Sequence, residues 1–284
     1  MRIAYIAAGA GGMYCGSCIH DNTLAAALLK QGTEVTLIPT YTPLRTDEEG
    51  VSVGEVFYGG VNVFLSQRFS WWNRTPRFLR RALAAPGFLR AISKMAIRNQ
   101  PEGLGELTLS VLRGERGRQA AELDELCEWL ERDIRPDLVH LTNSLFIGLA
   151  GELRRRLGVP VVCTLQGEDL FLEGLSVDER DQALELIREG SSNVDLFLTI
   201  SHYYREFMSE YAGLEARRIR VVHPGIPTEQ YRSASQPGNG VGQARTIGYF
   251  ARICEEKGVG PVSYTHLRAH ETDSYLVCRL LLEK

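Results

Sequence analysis

Several features are scarce in this 284-residue chain. No apolar run approaches the roughly 20 residues that cross a bilayer, so no transmembrane helix is expected. Neither sign of charge dominates, since 32 Lys and Arg against 35 Asp and Glu leave a net −3, which argues against general nucleic-acid binding. The six cysteines, Cys15, Cys18, Cys127, Cys163, Cys254 and Cys278, are mostly scattered, and the opening residues do not read as a signal peptide. Free thiols in a reducing, cytoplasmic setting are therefore expected. One absence is local: between Val56 and Pro101 there is no Asp or Glu, while Arg68, Arg74, Arg77, Arg80, Arg81, Arg90, Lys94 and Arg98 alternate with Trp71, Trp72, Phe78 and Phe88. Such a segment either packs its apolar side on a sheet with its arginines solvated, which is the favoured reading, or lies against anionic lipid headgroups or an acidic substrate.

Two nucleotide-binding signatures are also missing. The stretch Arg2 to Asn22 (RIAYIAAGAGGMYCGSCIHDN) runs from an apolar β pattern through Gly9, Gly11, Gly12 and Gly16 into a helical pattern that Gly32 closes. A strand that stops at glycines and re-enters as a helix opens an α/β sheet, and ligands bind beyond the strand's C-terminal end. Tyr14 stands where GxGxxG needs its third glycine, and Val35 to Pro43 holds no acidic residue for a ribose, so NAD is not expected. Ser17 occupies the P-loop lysine position, so ATP hydrolysis is not expected either. What the loop retains is a close backbone approach and a helix N-terminus suited to an anion or a hydroxyl-rich group. The alternative is a glycine turn that serves only strand-to-helix packing. Cys15 and Cys18 form a CGSC resembling a redox dithiol, but no second Cys or His pair lies at metal-ligand spacing, so no metal site is expected.

Strand and helix signals then alternate. Strands are expected at Glu34–Ile38, Leu138–Leu141, Val161–Leu165, Leu196–Ile200 and Ile219–Val222, with Val53–Phe57 and Val61–Leu65 hairpin-like around Gly59 and Gly60. Helices are expected from Gln119 to the stop at Pro136, over Ser144–Leu157 before Gly158, from a Ser176/Glu179 capping box to Gly190, and over Ser201–Tyr211. The fold class is thus α/β, a doubly wound parallel sheet over 1–224 with a basic insertion at about 66–118. A Pro-, Gly- and Ser-rich linker follows at 225–245, and Thr246–Phe250 (TIGYF) begins a second α/β domain, 246–261. Residues 262–284 show neither period and read as a non-native tail on a truncated second domain.

Taken in order, AAGAGGMYCGSCIHDNTLAAAL, LTNSLFIGLA, VVCTLQGEDLFL, LTISHYYREFM, VVHPGIPTEQYR and IGYFARICEEKG resemble glycosyltransferase family 4, retaining enzymes of the GT-B fold with two facing Rossmann-like domains. The resemblance spans about nine-tenths of the chain. It implies transfer of a sugar from a nucleotide-diphosphate sugar to a hydroxyl-bearing acceptor, with the acceptor on the first domain, no cofactor and no metal. It places Arg252 and Lys257 on the donor diphosphate, whose growing charge two fixed cations would stabilise, and brings Gly11 and Gly12 to the same phosphates. Gln166, Glu168 and Asp169 become the catalytic candidates, and Asn143, Ser144 and Gly167 the acceptor-binding ones. Where many relatives carry histidine this chain has Gln166, which hydrogen-bonds a hydroxyl but takes no proton. His20 and His223 read as structural. The family's glutamate-rich donor motif is absent after Gly258, so this chain alone is expected to turn over negligibly. The alternatives are a non-catalytic sugar or lipid-headgroup binding module, and a CxxC oxidoreductase.

Overall fold

The computed structural model describes residues 1–9, 15–46, 49–54, 56, 104–228 and 258. The chain divides into two compact units, Met1–Thr228 and Glu229–Lys284; the description below concerns the first. The basic aromatic segment 68–98, Gly11, Gly12, Arg252, Lys257 and the expected strand 246–250 lie outside the described residues.

Six strands form one sheet: β1 (Arg2–Ala7), β2 (Glu34–Pro39), β3 (Leu138–Leu141), β4 (Val161–Leu165), β5 (Leu196–Thr199) and β6 (Ile219–Val221). All pairings are parallel and the order is β2-β1-β3-β4-β5-β6. The chain steps outward from β1 to β2, then returns to β1's other side and steps the opposite way, the doubly wound pattern. Because successive side chains of a strand point to opposite faces, Ile3, Tyr5 and Ala7 enter one core with Leu37 and Ala25, while Ala4 and Ile6 enter a larger one. Both faces are covered, which is why the strands read as nearly continuous apolar runs.

Helix α1 (Gly16–Lys30) lies over the smaller core, and Gly32, at φ +83°, ends it. Its fully buried residues are Cys18, Asp21, Asn22 and Ala25; Leu24 and Leu28 pack against the same core partly buried, and Leu29 is exposed. Over the larger core lie α2 (Leu104–Leu112), α3 (Ala120–Trp129), α4 (Ala150–Leu157) and α6 (Val177–Gly190). Helix α3 continues into a π turn, Leu130–Ile134, and Arg135 takes the left-handed conformation (φ 50°) just before Pro136. The expected helix Ser144–Leu157 is in fact a 3₁₀ segment, Ser144–Leu149, followed by α4, and a short helix α5 (Glu168–Glu173) that the sequence reading did not separate follows β4. Ser176 and Glu179 make the expected capping box at the start of α6, and Ser201 caps α7 (His202–Tyr211). The described end of the basic insertion belongs to the core, since Leu109, Val111 and Leu112 of α2 are buried.

Candidate functional site

The winding direction reverses between β1 and β3. The segments leaving their C-terminal ends depart toward opposite faces, and a crevice opens there. Three strand ends converge on it: Ala8 and Gly9 after β1, Thr142 to Ser144 after β3, and Gln166 to Asp169 after β4. Gly9 sits at φ +78°, and a Cβ there would collide with the Thr42 carbonyl oxygen, so both the conformation and the close approach require glycine.

Asp21 is the centre of a first network. The residue is 1% exposed, and its carboxylate accepts from the Tyr5 hydroxyl at 2.6 Å, the Thr142 hydroxyl at 2.5 Å and Gln166 Nε2 at 3.2 Å. Gln166 Nε2 also donates to the Thr142 carbonyl at 2.8 Å. With two carbonyl-type acceptors around it, that atom must be the NH₂ end of the amide. Gln166 Oε1 consequently faces away from the network and has no partner among the described residues. Burial, then Asp21's charge, pushes the Tyr5 hydroxyl well above its ordinary pKa, so Tyr5 remains a donor. Behind it His140 stacks on Tyr5 at 4.1 Å and shares a 2.6 Å hydrogen bond with the Thr164 hydroxyl. Burial holds its pKa down to about 4, against a smaller opposing pull from Asp21, so the ring is neutral. His20 brings its Nδ1 to 3.6 Å from Asp21, longer than a hydrogen bond, and that buried atom has no hydrogen-bond partner among the described residues.

Glu168 is the centre of a second network. It is 4% exposed and accepts from Ser144 N at 3.0 Å, the Ser144 hydroxyl at 2.6 Å and Gln166 N at 2.7 Å. The Tyr204 hydroxyl lies 3.3 Å from Glu168 but 2.6 Å from Asp169 Oδ1, so its single proton goes to Asp169, while its oxygen accepts from Gly167 N at 3.0 Å. Burial and the two carboxylates raise the Tyr204 pKa. Glu168 thus ties the end of β3 to the end of β4. Asp169 is half-buried and its Oδ2 is without a partner among the described residues. Gly167 is exposed at φ +94° and begins α5.

The sequence candidates Asn143, Ser144, Gln166, Gly167, Glu168 and Asp169 are all brought together. Asn143 Oδ1 accepts from Leu145 N at 3.1 Å, capping the 3₁₀ segment, and Ser144 is fully buried, so both are committed to local structure. Sequence reasoning missed Asp21, Tyr5, Thr142 and Tyr204. The available signal was periodicity: Asp21 and Asn22 stand three and four residues after Cys18, and Ala25 seven after it, which sets two polar side chains on a stripe that should be apolar. A separate pocket of about 420 Å³ is lined by Arg113, Arg116, Arg155, Glu152 and Glu189 among others, and shares no residue with either network.

Residues 22–225 match the profile of the glycosyl transferase 4-like domain family. Among solved structures, Anabaena HepE in complex with UDP-glucose is 13% identical, with a TM-score of 0.43; the match covers 81% of this chain and 46% of HepE. The apo lipopolysaccharide outer core galactosyltransferase WaaB is 14% identical, with a TM-score of 0.44, covering 80% and 46%. The chain spans about half the length of these structures. No curated protein sequence matches it.

Proposed function

We propose, from the premise that this chain belongs to the glycosyl transferase 4-like domain family, that its described unit is the acceptor-side half of a glycosyltransferase. The enzyme would move a sugar from a nucleotide-diphosphate sugar to an acceptor hydroxyl with retention of configuration. The observation that supports this best is the pair of oxygens, Gln166 Oε1 and Asp169 Oδ2, that have no partner among the described residues and lie beyond the sheet's C-terminal edge. Each can accept from a sugar hydroxyl while Asp21 and Glu168 hold the strand ends still, and fixed acceptors of this kind orient a nucleophilic hydroxyl at low entropic cost. Gln166 cannot take a proton, so its role is to position; Asp169 is the group able to share the hydroxyl's proton. Glu168, with three hydrogen bonds inside the protein, holds the ends of β3 and β4 through Ser144 and Gln166, while Asn143 caps the 3₁₀ segment.

The donor side of the proposal rests on Arg252 and Lys257, which would neutralise the leaving diphosphate without a metal or cofactor, and on Gly11 and Gly12, whose backbone would approach the same phosphates closely. Residues 68–98 would supply any peripheral membrane contact. These 284 residues alone would turn over negligibly, because the sequence after Gly258 carries no glutamate-rich donor motif. The test is to join residues 1–228 to the donor-binding unit of a family member and follow transfer from UDP- and GDP-hexoses by the product's anomeric proton resonance. The expected product keeps the donor's configuration and is lost in Gln166→Ala. An inverted product overturns retention, transfer indifferent to Gln166→Ala overturns the site, and turnover near 10 s⁻¹ by the unfused chain overturns its predicted inactivity.

A further inference from the structure

The glycosyltransferase reading leaves Cys15 and Cys18 without a role. Cys15 is the N-cap residue of α1, in extended conformation (φ −130°, ψ 132°), and Cys18 is the third residue of the helix. An N-cap side chain naturally folds back toward the third helical residue, the arrangement a Ser or Thr cap uses. Here the third helical residue is itself a cysteine, and its side chain is the group that most lowers the Cys15 pKa. Access differs sharply: Cys15 is half-buried, whereas Cys18 is 2% exposed, packed under the first turn and reached by the Gly9 N–H. Cys127 and Cys163 are single, buried thiols in the larger core. A half-buried cysteine at the N-cap and a sheltered one at the third helical position, at the positive end of a 15-residue helix, is the arrangement of an attacking and a resolving thiol.

We propose that Cys15 and Cys18 form a thiol–disulfide exchange site whose substrates are small disulfides. The Cys15 thiolate attacks one sulfur of RSSR, forming the Cys15–SR bond and releasing RS⁻. The Cys18 thiol loses its proton to solvent and its sulfur attacks Cys15, closing Cys15–Cys18 and releasing the second RS⁻. The protein dithiol is oxidised by two electrons and the small disulfide is reduced to two thiols. The helix N-terminus and the Cys18 donor favour the anionic form of Cys15, and the hydrogen bond from Cys18 is the largest cause lowering its pKa to about 5. At pH 6 such a thiol is roughly 300-fold more ionised than an ordinary one, while its weaker basicity lowers nucleophilicity roughly 40-fold, so the net advantage is about 8-fold.

The experiment uses the full chain with Cys254→Ser and Cys278→Ser, treated with glutathione disulfide at pH 6, acid-quenched, alkylated and mapped by mass spectrometry. Expected is a peptide with Cys15 and Cys18 joined, formed about 8-fold faster than glutathione disulfide reacts with a free cysteine peptide. Cys18→Ser should stop at a glutathione adduct on Cys15, and Cys15→Ser should form neither product, both variants keeping the parent's circular dichroism. The proposal is overturned if Cys15 and Cys18 stay reduced in hundredfold excess disulfide, if the parent keeps an open adduct on Cys15, or if Cys15→Ser reacts as fast as the parent. Loss of fold in Cys18→Ser would leave the parent's own product and rate to decide. None of these readouts depends on sugar transfer.

Discussion

Replacing Glu168 with Gln changes one atom and one charge, and its cost can be worked from the hydrogen bonds. One carboxylate oxygen receives Ser144 N and the Ser144 hydroxyl, the other Gln166 N. Whichever way the new amide turns, its NH₂ faces a backbone N–H, either that of Ser144 or that of Gln166. An orphaned buried donor costs roughly 1–3 kcal/mol, and the bonds that survive lose their ionic assistance, about 1 kcal/mol in all. Relief from burying a charge trims this sum. The expected net loss is about 2 kcal/mol, which at a urea slope of about 2.5 kcal/mol/M lowers the unfolding midpoint by about 0.8 M. Urea unfolding followed by far-ultraviolet circular dichroism measures it. A double-mutant cycle sharpens the assignment, because coupling of Glu168→Gln to Ser144→Ala should reach about 1–2 kcal/mol and coupling to Tyr204→Phe should stay under about 0.5 kcal/mol. An unchanged midpoint, or coupling to Tyr204 as large as that to Ser144, would refute the assigned partners.

Three further outcomes follow. His140 is depressed to about 4 in the folded protein while an unfolded histidine titrates near 6.5. Between those values the unfolded chain binds the extra proton, so stability falls on acidification, by up to about 3 kcal/mol at pH 4; His140→Phe should flatten that part of the stability–pH curve, and equal slopes would contradict it. Ser176→Ala removes the α6 cap and should cost about 1 kcal/mol by thermal or urea unfolding, with no change in any ligand response. Gly9→Ala meets both a positive φ and the Thr42 carbonyl, so a loss above about 1 kcal/mol is expected; a variant as stable as the parent would show that the turn can relax.

The sheet was legible because parallel strands buried on both faces advertise themselves as apolar runs: Leu138–Leu141 and Val161–Leu165 are found where the sequence sets them. The capping box at Ser176 carried its own chemistry and was found as well. Helix α1 was harder, since its sheet-facing side holds Asp21 and Asn22 beside Leu24 and Leu28, and apolar periodicity does not mark the two polar residues. Only the fold explains the exception, because Tyr5 and Thr142, 16 and 121 residues away from Asp21 in sequence, supply the donors that make a buried carboxylate tolerable. For the same reason Gln166 and Asp169 were recognisable from their place after a strand, whereas Tyr204, which sets the Asp169 oxygen, comes from a helix 35 residues on.

The central claim is that an acceptor sugar binds at the crevice beyond β1, β3 and β4. Hydrogen–deuterium exchange of the full chain, with and without saturating mono- and oligosaccharide acceptors, tests it most directly. Slowed exchange confined to Ala7–Gly9, Thr142–Leu145 and Gln166–Leu170, and abolished by Gln166→Ala, is the predicted result. Protection centred instead on the pocket of Arg113, Arg116 and Arg155, with those strand ends unchanged, would contradict it.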